Sequence, residues 1–168
     1  MKYAVIFYSE TGNTERLAEE IYMSIKSNEK VFINLKEDTA IPQADIYFIG
    51  FPIQKQSCSL KIIECLEQIE LGKLVLFATC GMSPTINYKQ KLEDSLMVWL
   101  PDNVDYLGMF LCQGKITDKQ KQYFCQMKPE YAEQMKRMFA EGDKHPDWND
   151  RNDAVEYINN ILESIEEF

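Results

Sequence analysis

The sequence is poor in histidine and has no long apolar run. It contains one histidine, His145, and five cysteines, no two of which show a C-x-x-C spacing. A zinc site draws on His and Cys at short spacings, so none is expected, and the odd number of cysteines argues against a disulfide framework. Because no segment is apolar enough to span a bilayer and no signal peptide is recognised, we expect a cytoplasmic protein that binds no membrane.

Basic residues are also scarce relative to acidic ones. The chain carries 18 Lys and Arg against 27 Asp and Glu, which gives a formal net charge of −9. Since nucleic acid and anionic lipid are bound through Lys and Arg, this balance argues against both as partners. Two interpretations remain open. The acidic surface docks onto a basic patch of a protein partner, or it only keeps the protein soluble.

Short apolar runs alternate with helical patterns along most of the chain. The 168 residues, 45% of them hydrophobic, suit one domain over 1–168. Solid apolar runs such as 46–50 are typical of strands that are covered on both faces. The patterns predict strands at 2–8, 30–35, 46–50, 74–78 and 106–111, and helices near 13–27, 60–68 and 87–99.

The last third of the chain contains helical patterns without further strands. Thr117 is placed to cap a helix that runs toward Gln126. Pro129 is placed to open another that continues through Ala140 and ends at Gly142. A polar turn over 143–148 then leads into an amphipathic helix over 150–168. We therefore expect extra C-terminal helices.

The alternation of strands and helices predicts an α/β fold with a parallel sheet and helices on both faces. In such sheets, ligands bind outside the carboxyl ends of the strands. This rule brings the loops at 9–14, 51–58 and 79–85 around one crevice.

The turn after the first strand is rich in hydroxyl groups and contains no Lys or Arg. It precedes a helix, so it offers free backbone N–H groups and the positive end of the helix dipole to an anion. If these residues only capped the helix, one of them would suffice. The turn therefore predicts a phosphate site formed by Ser9, Glu10, Thr11, Gly12, Asn13 and Thr14.

This turn resembles the phosphate loop of flavodoxins, in which Thr/Ser-x-Thr-Gly-x-Thr precedes an amphipathic helix. Ser9, Thr11, Gly12, Asn13 and Thr14 match that pattern position by position. The likeness covers roughly residues 1–115. It implies a doubly wound five-stranded parallel sheet of order 2-1-3-4-5 and flavin mononucleotide, FMN, as the cofactor.

Two later segments are similar to the loops of flavodoxins that contact the flavin ring. The segment 50–53 resembles the second loop, and 77–81 resembles the strand end that opens the third. The resemblance implies that the second loop lies along the ring and that backbone N–H groups of the third face its pyrimidine edge. Unlike many flavodoxins, this chain has no glycine between Gly50 and Gly72. The implied ring contacts are Pro52, Ile53 and Gln54 in the second loop, and Thr79, Cys80, Gly81 and Met82 in the third.

The segments 110–115 and 145–153 resemble a narrower subgroup of flavodoxin-like proteins from anaerobic bacteria. Members of that subgroup occur beside flavin-dependent reductases, as does the accessory flavoprotein of bilirubin reduction. Three cysteines, Cys58, Cys80 and Cys112, fall near strand ends on the crevice side. They are either redox-active thiols or small buried apolar side chains.

Together, these features favour an electron-transfer flavoprotein that delivers electrons to a partner oxidoreductase with a basic docking surface. We expect a carrier more than an independent enzyme. Two alternatives remain open. The chain is an FMN-dependent reductase that takes hydride from NAD(P)H, or it is a module that kept the fold and lost the flavin.

Overall fold

Five parallel strands form the centre of the protein, which we describe from a computed structural model covering residues 1–166. The strand order is 2-1-3-4-5, as the resemblance implied. The last two residues of the helix predicted over 150–168 lie outside the described residues. The strands are β1 (Tyr3–Phe7), β2 (Lys30–Asn34), β3 (Ile46–Pro52), β4 (Gly72–Cys80) and β5 (Val104–Gln113).

The three central strands are buried because helices cover both of their faces. All five residues of β1 are buried, and so are the first six of β3 and the last seven of β4. Their solid apolar character therefore identified them in the sequence. Their carboxyl ends meet at one edge of the sheet, where Phe7 pairs with Gly50 and Pro52 pairs with Thr79.

The two outer strands carry more exposed side chains. Phe32 of β2 is 38% exposed and packs its ring against Phe7 and Tyr22. In β5 the register against β4 shifts beside Leu74, and Gly108 has a φ of +125° there. A Cβ at Gly108 would also collide with the hydroxyl of Tyr157, so glycine satisfies both requirements at this position.

Four of the six helices cover the sheet. Helices α1 and α6 pack with one face of the sheet, and α2 and α3 pack with the other. None of the helices within residues 1–166 combines the length and apolar character that crossing a bilayer requires. The helices are α1 (Asn13–Ser24), α2 (Leu60–Leu66), α3 (Ile86–Leu96), α4 (Asp118–Met127), α5 (Ala132–Gly142) and α6 (Trp148–Glu166).

Several predicted boundaries are wrong by a few residues. Strands β3, β4 and β5 are longer than their apolar runs, because pairing with a neighbouring strand carries them through Gly, Lys, Pro and Thr. Helix α1 ends at Ser24 instead of near residue 27. There, Lys30 Nζ donates hydrogen bonds to the carbonyls of Tyr22 (2.7 Å) and Ile25 (2.8 Å) and caps the helix.

The C-terminal helices also differ from the prediction in detail. Two 3-10 turns, Met97–Trp99 and Pro129–Tyr131, occupy positions that were predicted as α-helix. Helix α6 begins at Trp148, two residues before the predicted start. The Asp147 carboxylate accepts a hydrogen bond from Asp150 N (3.0 Å), and the Asp150 carboxylate accepts one from Asp147 N (2.8 Å). This reciprocal pair caps the helix.

Helices α4 and α5 form an antiparallel pair, which we call the hairpin and define as residues 118–142. The hairpin lies between β5 and α6 in the chain. It leaves and rejoins the rest of the protein at one point, where Gly142 packs against Gln113 and Gly114. Gln113 Nε2 fastens the hairpin there with hydrogen bonds to the carbonyls of Met138 (3.3 Å) and Gly81 (3.2 Å). The hairpin therefore begins at the carboxyl edge of the sheet.

Candidate functional site

The turn after β1 forms an uncapped helix N-terminus. Gly12, with a φ of +86° and a ψ of −1°, is the N-cap residue of α1, and no side chain caps the helix. Within residues 1–166 nothing accepts a hydrogen bond from the N–H groups of Asn13, Thr14 or Glu15. Free donors at the positive end of a twelve-residue helix suit an anion such as a phosphate.

The buried hydroxyl groups of this turn are held in place by hydrogen bonds within the protein. Ser9 and Thr14 are 5% and 1% exposed. Ser9 Oγ accepts from Gly12 N at 3.1 Å and so fixes the turn. Thr14 Oγ1 lies 3.0 Å from Thr79 Oγ1 at the end of β4. The side chain of Thr79 therefore contacts the turn at residues 9–14.

Two further residues of the turn reach across to the connection between β5 and α4. Asn13 Nδ2 donates to the carbonyl of Lys115 at 2.8 Å, and Thr11 Oγ1 donates to the same oxygen at 3.4 Å. Gly114 leaves room for this tie, because a Cβ there would lie 2.8 Å from Asn13 Nδ2. The connection after β5 thus forms a fourth wall beside the three predicted loops.

The second loop turns back on itself directly after β3. Ile53 N donates to the carbonyl of Thr79 at 2.8 Å, which ties this loop to β4. Gln54 and Ser57 exchange backbone hydrogen bonds of 2.8 and 2.9 Å around Lys55 and Gln56, whose φ values are +49° and +63°. These bonds and angles indicate a tight two-residue turn, of a type that normally contains glycine.

Glu10 brings a negative charge to the site, but its carboxylate is engaged beside the second loop. Its Oε1 accepts hydrogen bonds from Gln54 Nε2 (3.1 Å) and from the Tyr8 hydroxyl (3.3 Å). Glu10 therefore joins the first two loops of the cleft.

The third loop is fixed by backbone contacts. Gly114 N donates to the carbonyl of Cys80 at 2.8 Å, and the Cys80 thiol donates to the carbonyl of Met82 at 3.1 Å. Gly81 lies under the side chain of Ile116, while Met82 is 50% exposed. The loop therefore presents Gly81 to the cleft and Met82 to its rim.

The four walls enclose a narrow cleft of about 30 Å³. Ligand pockets usually measure some ~300–1,000 Å³, so the walls would have to separate around a three-ring flavin or leave it largely at the surface. The donors of the turn fit a phosphate as they stand. The residues lining the cleft are Glu10, Thr11, Asn13, Pro52, Ile53, Gln54, Thr79, Cys80, Gly81, Gly114, Lys115, Ile116 and Gln120.

Nine of the thirteen predicted site residues line this cleft. Ser9 and Thr14 lie buried beneath it, Gly12 starts the helix, and Met82 is at the rim. The sequence analysis missed the lining residues after β5, namely Gly114–Ile116 and Gln120. The predicted parallel sheet already implied this wall, because the carboxyl end of a parallel β5 must lie at the same edge as those of the other strands.

The three cysteines near the cleft are buried. Burial raises the pKa of the Cys80 thiol to about 12 and raises the pKa values of the Cys58 and Cys112 thiols as well. A thiolate is the reactive form, so these side chains act as small apolar groups at neutral pH. Of the two interpretations above, the structure favours the buried apolar one.

A larger depression of about 530 Å³ lies at the opposite, amino-terminal edge of the sheet. Its polar groups already bind one another: Lys2 N donates to the Asp45 carboxylate (2.7 Å), and Ala44 N donates to the Tyr47 hydroxyl (2.8 Å). These bonds engage part of its polar lining.

His145, Asp147 and Asp150 form a polar cluster at the start of α6. Asp150 binds His145 Nδ1 at 2.5 Å and caps the helix together with Asp147. These hydrogen bonds account for the cluster without a metal ion.

Comparisons with known proteins agree with this architecture. A family model for the flavodoxin domain matches residues 4–159. The flavodoxin-like domain-containing protein BilS of Clostridioides difficile (strain CD3) is 29% identical over 170 residues, covering 96% of this chain and 97% of that protein. BilS of Clostridium symbiosum (strain WAL-14163) is 30% identical over 134 residues, which cover 69% of this chain and 70% of that protein.

Among solved structures, oxidised flavodoxin 1 from Bacillus cereus shares the fold, with a TM-score of 0.51 at 21% identity over 79% of this chain and 98% of that one. With the family model covering most of the chain, the comparisons identify the protein as a member of the flavodoxin family and, within it, of the BilS-type subgroup.

Proposed function

We propose that this protein binds FMN through the turn at residues 9–14 and carries electrons to a partner oxidoreductase. The observation that carries the proposal is the uncapped start of α1. Its free N–H groups and two buried hydroxyls converge at the carboxyl edge of a flavodoxin sheet. When bound, the flavin supplies reversible electron transfer, and the protein supplies binding and electrostatics.

The phosphate would be held without any cation from the turn itself. Backbone N–H groups of Asn13 and Thr14 and the hydroxyls of Thr11 and Thr14 would donate to it, the Thr11 hydroxyl giving up its 3.4 Å contact with the Lys115 carbonyl. Ser9 would hold the turn in place, and Thr79 would hold the Thr14 hydroxyl. Neutral donors suit a phosphate that stays bound throughout the reaction. The ring would lie between the second loop, at Pro52–Gln54, and the third.

We further propose a redox partner with a basic docking surface. Outside residues 115–144 the chain has 22 Asp and Glu against 11 Lys and Arg. A surface of this kind attracts a basic partner and speeds its encounter. A cytoplasmic location is part of the proposal. The five free cysteines support it, because thiols persist in a reducing compartment.

The test is a fluorescence titration of the flavin-free protein with FMN and, in parallel, with riboflavin, which lacks the phosphate. Thr11→Ala combined with Thr14→Ala should weaken FMN binding by about 2–4 kcal/mol, the size of two charge-assisted hydrogen bonds. Riboflavin binding should change little. Thr39→Ala, at an exposed position away from the cleft, is the matched control.

Three results would contradict the proposal. A protein that takes up no FMN would be a module without flavin. Equal loss of FMN and riboflavin in the double variant would remove the phosphate assignment. Rapid bleaching of bound flavin by NADH or NADPH alone would identify a reductase instead of a carrier.

A further inference from the structure

The hairpin exposes an apolar surface that the rest of the fold does not use. No residue of α4 is buried, and the helix packs mainly on α5 and the turn between them. The Tyr123 and Phe124 rings lie 5.7 Å apart, with Met127 one turn further along α4. Four large side chains are largely exposed here: Tyr123 (57%), Phe124 (45%), Met127 (60%) and Tyr131 (53%).

The charge of this segment is opposite to that of the whole protein. Residues 115–144 have seven Lys and Arg against five Asp and Glu, whereas the chain as a whole has a net charge of −9. Most carboxylates of the segment are in ion pairs with its own lysines. Among the described residues of the segment, Glu130 is the one carboxylate without an ion pair. Four of the segment's cations have no ion pair within residues 1–166, namely Lys115, Lys119, Lys128 and Arg137.

The hairpin also reaches the candidate site. Gln120 of α4 and Ile116 just before it line the cleft, and Lys115 is tied to the phosphate loop. We call the exposed side chains Tyr123, Phe124, Met127 and Tyr131 the outer face of the hairpin. A protein bound to this face would therefore sit near the mouth of the cleft. Aromatic side chains, Met and Arg are the residues enriched in protein–protein contacts.

We propose that the outer face of the hairpin is a docking surface for the redox partner, and that the partner meets it with an apolar patch surrounded by carboxylates, next to the basic surface that faces the acidic body. This inference rests on the proposed function and extends it: the acidic body orients the partner, and the hairpin holds it. A second copy of the hairpin is a poorer occupant, because it would oppose Lys119, Lys128 and Arg137 to their own copies.

The experiment compares charge reversal on the hairpin with charge reversal elsewhere. The hairpin variant combines Lys119→Glu, Lys128→Glu and Arg137→Glu, none of which lines the cleft. The control variant carries the same change in net charge at exposed lysines of the body, by Lys2→Glu, Lys26→Glu and Lys91→Glu.

Two readouts are taken at low ionic strength. Binding of an oxidised b5-type cytochrome, which is acidic, is measured calorimetrically with the flavin-free protein. Electron transfer is measured by stopped flow after the FMN-loaded protein is reduced with dithionite. Two electrons leave each reduced flavin, one to each of two ferric haems, and protons pass to the buffer. A c-type cytochrome, which is basic, serves as the second acceptor.

The hairpin variant should lose about tenfold in affinity and in rate with the acidic cytochrome, and the control variant no more than about threefold. The basic cytochrome should not distinguish the two variants. Equal losses in both variants would overturn the docking surface while leaving the carrier function intact. Dimers or binding to anionic lipid vesicles that only the hairpin variant abolishes would also overturn it. If neither cytochrome is reduced but the b5-type cytochrome still binds through the hairpin, the carrier function fails and the docking surface stands.

Discussion

The hydroxyls of Thr14 and Thr79 lie 3.0 Å apart, and both side chains are almost fully buried. This pair joins the start of α1 to the end of β4, so the side chain of Thr79, a residue that also lines the cleft, contacts the turn at residues 9–14.

Thr79→Val should therefore weaken FMN binding and spare riboflavin. The substitution keeps the volume but removes the partner that orients the Thr14 hydroxyl, at a cost of about 1–2 kcal/mol, or roughly 5- to 30-fold in affinity. Parallel titrations of the flavin-free protein measure both affinities, with Thr39→Val as the control. Equal weakening of FMN and riboflavin binding would show that Thr79 acts on the flavin ring and not on the phosphate, and would contradict this prediction.

The second loop should become more stable when its turn is given suitable residues. Lys55 and Gln56 adopt left-handed conformations that favour Asn and Gly. Lys55→Asn with Gln56→Gly should raise the free energy of unfolding by about 1 kcal/mol, measured by urea denaturation of the flavin-free protein. Gln122→Gly within α4 is the opposite control and should lower it by about 1 kcal/mol. No gain from the turn variant would show that its backbone is relaxed with the native residues.

Protonation of His145 should stabilise the fold. The hydrogen bond to the Asp150 carboxylate raises the pKa of His145 above its ordinary value of 6.5. The stabilisation is therefore complete below about pH 6.5 and is lost as the pH rises through the higher folded-state pKa. His145→Gln should cost more stability at pH 5.5 than at pH 8.5. Since this is the chain's one histidine, its imidazole NMR signals titrate alone, and a pKa at or below 6.5 would refute the pairing.

The end of α1 should depend on Lys30. Its ammonium group binds two terminal carbonyls of the helix and lies 4.4 Å from the centre of the Tyr22 ring. Lys30→Met keeps the aliphatic stem but removes the charge, and should lower the free energy of unfolding by about 1–2 kcal/mol. Lys26→Met, at an exposed position, should have little effect in the same thermal or urea measurement. Equal losses from both would mean that the cap contributes nothing.

The sequence predicted the central sheet and singled out the turn at residues 9–14, because both have local signatures. Solid apolar runs identified β1, β3 and β4, and hydroxyls before an amphipathic helix identified the loop at 9–14. The fourth wall of the cleft has no such signature. Lys115 contributes its carbonyl oxygen to Asn13, more than a hundred residues away, and every residue type offers that group.

The hairpin was predicted as two helices, but its role was not. Helical periodicity shows which side chains share a face, whereas only the three-dimensional arrangement shows that nothing in residues 1–166 covers the outer face of α4. The same holds for charge. The composition gives a net value of −9, and the opposite sign of the segment 115–144 becomes meaningful only where the segment meets the cleft.

Neither apolar layer that covers the sheet draws a residue from the hairpin, which departs from and returns to the body where Gly142 meets Gln113 and Gly114. The layers on both faces of the sheet are completed by α6, which follows the hairpin, and by helices that precede it. The hairpin beyond Gln120, which lines the cleft, can therefore change in length and sequence while the sheet and the turn at residues 9–14 stay intact. Partner choice and cofactor binding would then evolve as separate modules of one chain.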